Sequence, residues 1–362
     1  MFNPDMHRLS KNIPRKVFAA QTGSKVAGSR LTSTQAFRRL ALILFIFACL
    51  ALAHSFWLPL HEAPDEVAHF LYTRFIATTG RLPLDDEERE LAGYKSYRPP
   101  LYHIFSATLI EWANGENFPR LKFVWESPRF EMANALLNTK RLANTEDELP
   151  PFDGDILMWH LGRLVSIVLS MGTITVAFFT ILELFPENYW LALVSASIPA
   201  FVPTFIFISS SMSTDALTGL ILGFYVWMLV KLVKSDNIQK SVPWKNYILL
   251  GLLIGASTTT NYATVLLPLQ VVGVVTFLVW RHRWGRTDWL RRVAATGIAA
   301  IIAAGWWFIY LIVYFNEIDQ YGLVIGSLKP IIAGGIDASQ RYVAFLLTGG
   351  AIGIQDSPEF IS

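Results

Sequence analysis

Stretches of about 17 to 25 apolar residues recur along this chain, each long enough to cross roughly 30 Å of hydrocarbon as a helix. That recurrence limits the architecture more than any motif does. Charged residues make up only 16% of the sequence, where a soluble domain carries about 25%. The apolar surplus needs lipid as its solvent, so the expected fold is an all-α integral membrane protein. About seven transmembrane helices are expected, near 40–60, 158–184, 189–209, 213–233, 246–260, 262–280 and 293–315.

Charge placement sets the orientation. Residues 1–39 carry Arg8, Lys11, Arg15, Lys16, Lys25, Arg30, Arg38 and Arg39 against one acid, Asp5, the mark of a cytoplasmic segment. Gly, Ser and Thr dominate residues 21–35, so much of this tail is expected to be disordered. Lys231, Lys234, Lys240 and Lys245 flank one later loop, and Arg281, Arg283, Arg286, Arg291 and Arg292 fill another. Crossing at every span puts both basic loops inside and residues 61–157 outside. The polar break Thr258-Thr259-Thr260-Asn261 then divides a hairpin of two short helices. Cys49, the only cysteine, lies within the first span, which excludes an internal disulfide and cysteine-rich metal sites. The first span reads as a retained anchor, since no short apolar core with a small-residue cleavage site follows the basic tail. The basic clusters sit at membrane edges and give no support for nucleic-acid binding.

The 61–157 segment is far longer than an ordinary connection. Prolines cut it into short pieces. Phe70, Leu71, Phe75 and Ile76 share one helical stripe, and Leu101, Phe105, Leu109 and Trp112 another. Both predict amphipathic juxtamembrane helices lying on the bilayer surface. A single unit over 40–341 is expected, with 61–157 carrying the site and 342–362 a short apolar end, read as the possible start of a further part.

The same loop begins His61-Glu62-Ala63-Pro64-Asp65-Glu66-Val67-Ala68-His69. Glu62, Asp65, Glu66 and His69 fall at i, i+3, i+4 and i+7, one face of a helix, with Pro64 suited to its first position. Acids in a first turn are also favoured by the helix dipole alone, so the bland reading is a solvated helix start. The membrane boundary shifts the balance toward function. Further on stands Tyr97-Arg98-Pro99-Pro100-Leu101-Tyr102. The guanidinium of Arg98 offers a fork of donors matched to phosphate oxygens, and the double proline restricts the backbone around it. A snorkelling interfacial arginine beside Tyr97 and Tyr102 is the competing reading. His160 and Arg163 open the second span on one face. Arg163, inside an apolar run, needs a partner, and either a carboxylate of the acidic face or a phosphate would serve. Asp215 begins the fourth span, where Ser213 or Thr214 suits a cap.

In this order the external Pro-Asp-Glu-x-x-His, the Arg-Pro-Pro-Leu-Tyr element, the Arg163 span entry, Thr-Asp-Ala-Leu at 214–217 and the Leu-Gly-Leu-Leu-Ile-Gly hairpin resemble the membrane glycosyltransferases of the GT-C fold. The nearest branches are the protein O-mannosyltransferase and aminoarabinose transferase-like enzymes. The resemblance covers about residues 40–315. It implies transfer of a sugar from a polyprenyl-phosphate carrier to an acceptor glycan, lipid or protein outside the plasma or inner membrane, with Asp65 as base and Glu66 its motif partner. Arg98 stands where relatives place a basic residue, often lysine, toward the donor phosphate. Asn261 stands where many relatives carry lysine, and the family usually continues beyond the last span found here.

The residue types suit that chemistry. A sugar phosphate has a good leaving group, so the protein must orient or deprotonate a hydroxyl and stabilise charge on phosphate. Asp65 takes the first task, Glu66 positions it, and Arg98 with Arg163 takes the second; Glu62, His69, Tyr102, His160, Asp215 and Asn261 support them. Direct displacement inverts the anomeric centre. Asp65, Glu66 and His69 are also the set that would hold a divalent metal. The rival classes are a transporter and a non-catalytic scaffold. Transporters bind at the bilayer midplane, often between repeats, whereas the polar residues here gather at one outer surface.

Overall fold

The computed structural model describes residues 31–60, 63–113, 150–236, 244–282 and 285–316. Its helices are α1 (Ser33–Trp57), α2 (Glu66–Thr79), α3 (Asp86–Leu91), α4 (Leu101–Ile110), α5 (Gly154–Leu184) and α6 (Tyr189–Phe201). They continue as α7 (Pro203–Ser209), α8 (Thr214–Asp236), α9 (Trp244–Thr258), α10 (Leu267–His282) and α11 (Arg286–Phe315). No strand occurs among the described residues. Most of the expected 1–39 tail, the middle of the 61–157 loop and the 342–362 end lie outside them. Helix α1 begins at Ser33 rather than near residue 40, because Thr32 and Gln35 form a capping box that satisfies its first donors.

Five described helices are long and apolar enough to cross a membrane, or six if α6 and α7 form one bent span. The expected 189–209 helix breaks at Val202 with a 66° bend, where Pro203 cannot donate to the turn before it and starts a new helix. Among the described residues the count is therefore five or six, against the seven expected. Helix α9 has 15 residues, about 22 Å at 1.5 Å per residue, and falls short of the roughly 30 Å core. The long helices turn Leu42, Phe45, Leu269, Ile301, Ile302 and Val313 outward, each more than half exposed. Apolar surface on that scale belongs in lipid; this is a multi-pass helical membrane protein.

Helix α5 runs through the centre, against α1 and α6 on one side and α4 and α8 on the other. Helix α9 lies on α11 at backbone distance. A Cβ on Gly255 would meet the Ala300 carbonyl at 2.7 Å and the Ala303 methyl closer still, and one on Gly251 would meet the Ala299 methyl at 2.7 Å. Small residues four apart permit this approach between membrane helices. Gly255→Val is expected to push the helices apart and destabilise the fold by about 1–3 kcal/mol. An unchanged unfolding midpoint in detergent would contradict that packing.

The two short helices after α1 differ from a pair lying on the surface. Helix α2 is embedded, with Glu66, Ala68, His69, Phe70, Tyr72, Thr73 and Ile76 all buried. Phe70 stacks on Trp159 of α5, ring centroids 4.2 Å apart. Helix α4 carries His103 and Ser106 inward, both buried, and turns Phe105 and Leu109 outward, with Trp112 exposed in the turn that follows. Three of the four residues of the stripe read from the sequence thus face outward, while Leu101 packs against the core.

Candidate active site

Glu66 and Arg163 form the anchor of the region. Both side chains are fully buried. Arg163 donates from Nε to Glu66 Oε1 at 2.8 Å and from Nη2 to Oε2 at 2.7 Å. Its other N–H groups reach the carbonyls of Ser55 (2.6 Å), Leu58 (2.8 Å) and Pro59 (3.3 Å). The last carbonyls of α1 lack intrahelical partners, and Arg163 supplies them. Glu66 Oε1 also accepts from the Met212 N–H at 2.9 Å. One ion pair thus ties together the end of α1, the start of α2, α5 and the approach to α8. All five guanidinium N–H groups are engaged within the protein, so of the two partners expected for Arg163 the carboxylate is the one present here. Both Glu66 oxygens are occupied by these bonds.

Asp65 has the opposite fate. It precedes α2 as its cap, at φ 63° and ψ −3°, a left-handed conformation that Asp tolerates better than most residues. The single acidic helix face expected over 62–69 is broken there: Glu66 turns inward and Asp65 keeps a 53% exposed side chain. Glu62 lies outside the described residues. Tyr94 donates its hydroxyl to Asp65 Oδ1, and Lys95 Nζ stands 2.9 Å from Oδ2. The Tyr94 bond first, then Lys95 and the charge of Arg98, hold Asp65 below the usual carboxylate range against its partial burial. The charge of Arg98 therefore reaches Asp65. Burial and the Asp65 bond in turn push the Tyr94 hydroxyl up.

The segment carrying these partners is held from several sides. Gly93, at φ 77°, turns the chain into a 3-10 turn over Tyr94–Tyr97. Ser96 Oγ donates to the Arg89 carbonyl at 3.0 Å. Arg89 is buried beneath the rings of Phe315 and Tyr97, and Tyr310 of α11 donates to the Pro83 carbonyl. After Pro99 and Pro100, the Leu101 N–H donates to the Thr259 carbonyl at 2.9 Å. The ends of α9 and α11 therefore fix the loop facing Asp65.

His69 finds a partner the sequence reading missed. Its Nδ1 lies 2.9 Å from Nε2 of His103, with the rings stacked and both residues buried. Burial first, then the Lys95 charge, lowers His69 to about 3, and burial pushes His103 well down too. An unfolded histidine takes a proton near 6.5. The unfolded chain therefore binds more protons than the folded one as pH falls from about 6.5 toward 3, and stability declines over that window. Each histidine contributes about 1.4 kcal/mol per pH unit. Unfolding midpoints in detergent between about pH 7 and about pH 5, above the range where ordinary carboxylates titrate, should fall in this manner. His103→Gln should flatten the slope.

Of the remaining expected residues Tyr102 stays close, edge-on to His69 with centroids 6.2 Å apart, and the others lie elsewhere. Tyr102 is buried against Ser166, hydroxyls 2.8 Å apart. His160 stacks on Phe152 with centroids 4.1 Å apart. Asp215 is exposed at the start of α8, its N–H capped by Ser213 Oγ at 3.1 Å, as the capping alternative had it. Asn261 caps the turn Tyr262–Leu266, accepting from the Ala263 N–H at 3.0 Å. The metal alternative loses its set, because Glu66 is held by Arg163 and His69 Nδ1 faces His103. No group of three His, Cys, Asp or Glu residues converges among those described. Tyr94 and Lys95 escaped the sequence reading; the signal available was the three-residue spacing of Lys95 and Arg98 between Gly93 and Pro99.

Residues 158–308 match the family model described as dolichyl-phosphate-mannose-protein mannosyltransferase. Among curated protein sequences nothing matches the chain. Among solved structures, the fold is similar to that of the S. cerevisiae protein O-mannosyltransferase Pmt1–Pmt2 complex bound to the sugar donor, with a TM-score of 0.52 and 15% identity. The match covers 81% of this chain and 35% of the other, so the chain spans about a third of that relative's length. The fold is that of the GT-C membrane glycosyltransferases, as the order of motifs led us to expect.

Proposed function

We propose that this protein is a glycosyltransferase that moves a sugar from a polyprenyl-phosphate donor to a hydroxyl on an acceptor glycan, lipid or protein. The relatives' descriptions point to mannose as the sugar to try first. The observation that carries this reading is Asp65, an exposed carboxylate on a buried anchor, paired with Lys95 and within the field of Arg98. Asp65 accepts the proton of the acceptor hydroxyl as that oxygen attacks the anomeric carbon. Arg98 faces the donor phosphate and stabilises the charge that gathers on it. Attack opposite the leaving phosphate inverts the anomeric centre.

The charge pattern supports an N-terminus in the cytoplasm and a site on the outer side of the plasma or inner membrane. The apolar outer stripe of α4 suits a headgroup-level position beside the lipid-linked donor. The test is transfer from a polyprenyl-phosphate sugar by the purified protein, compared with Asp65→Asn. A scaffold or transporter predicts no transfer by either protein. The proposed enzyme predicts product with the expected inversion from the wild type alone.

A further inference from the structure

Asp65 is an awkward base as it stands. Both of its oxygens accept hydrogen bonds, from Tyr94 and Lys95, and a carboxylate so held is a weaker proton acceptor. Its partner Lys95 sits on a turn closed by the Arg98 N–H donating to the Lys95 carbonyl at 2.9 Å. Arg98 closes that turn as its extended cap, and its charge acts on Asp65 together with that of Lys95. Two positive charges, one in contact and one acting at longer range, thus bear on one carboxylate, and one positive charge is left over. A polyprenyl-phosphate sugar is a phosphodiester with a single negative charge, which balances the site.

We propose that Lys95 changes partner during transfer, leaving the Asp65 carboxylate for the departing phosphate. The inference rests on the reading of Asp65 as base. The acceptor oxygen bonds to the anomeric carbon and its proton passes to Asp65. The bond from that carbon to the phosphate oxygen breaks, and its electron pair stays on the oxygen. Asp65 becomes neutral as the phosphate becomes a dianion, so the summed charge of the site does not change. Only the counter-ion of Lys95 does. A lysine suits that exchange, being a compact charge on a flexible stem, whereas Arg98 is restrained by the two prolines after it.

The test is a binding cycle on the full chain in detergent, with farnesyl monophosphate as the dianionic probe and its methyl ester as the monoanionic one. Asp65→Asn frees Lys95 and should tighten monophosphate binding about tenfold, more than it tightens the ester. Lys95→Met should weaken monophosphate binding by a similar factor and erase most of the wild-type preference for the dianion. In the Lys95→Met background the Asp65→Asn gain should shrink to about twofold or less, and Lys95→Arg should restore it. An equal gain with and without Lys95 overturns the inference, since a general change of field would give that. Transfer assays separate the two readings: an active Asp65→Asn protein removes the base itself, while an additive cycle in an Asp65-dependent enzyme removes only the role of Lys95.

Discussion

Arg163→Ala is expected to destabilise the protein by about 3–5 kcal/mol, the cost of stranding one member of a buried ion pair. The substitution leaves Glu66 charged at zero exposure with the Met212 N–H as its remaining bond. It also strips partners from the carbonyls of Ser55, Leu58 and Pro59. A loss that large is a substantial share of the 5–15 kcal/mol that holds a typical domain together, so folded yield in detergent should collapse. Arg163→Lys should recover little, because an ammonium cannot reproduce the forked contact with Glu66. Glu66→Leu with Arg163→Met should recover more than either single change, since apolar pairs of similar volume often replace buried ions without loss. An Arg163→Ala protein that unfolds at the wild-type temperature would overturn the anchoring role.

Asp65→Asn should leave the fold intact and lower transfer by about a hundredfold to ten-thousandfold, the usual contribution of a positioned base. Asn is nearly isosteric and accepts the left-handed backbone of position 65. The Arg163 and Glu66 variants should therefore fail by unfolding, and the Asp65 variant by chemistry alone. Asp65→Glu keeps the charge but adds a methylene, and misplacement on that scale is also costly to rate. It should fall between the wild type and Asn. Transfer at the wild-type rate by folded Asp65→Asn protein would sink the proposed mechanism.

The sequence made the membrane fold legible because lipid imposes a length and a composition that few other environments do. It also marked Asp65 and Arg98, since a carboxylate and a proline-locked cation in one outer loop stand out against an apolar chain. What it could not resolve was which of two adjacent acids faces which partner. Asp65 and Glu66 look like one doublet on a helical wheel, yet the left-handed cap turns them apart. The same limit hid Lys95 and His103, whose partners lie thirty and thirty-four positions away in the chain. Pro199 and Pro203 were visible, but hydropathy ran through them and disguised the break between α6 and α7.

The backbone of Asp65 has a further consequence. A non-glycine residue at φ 63° carries strain on the order of 1 kcal/mol, which glycine would relieve. Variants chosen for heat resistance alone would drift toward glycine at this position, and on the proposed mechanism each would be a better-folded protein without a base. Durability and turnover thus pull one residue in opposite directions.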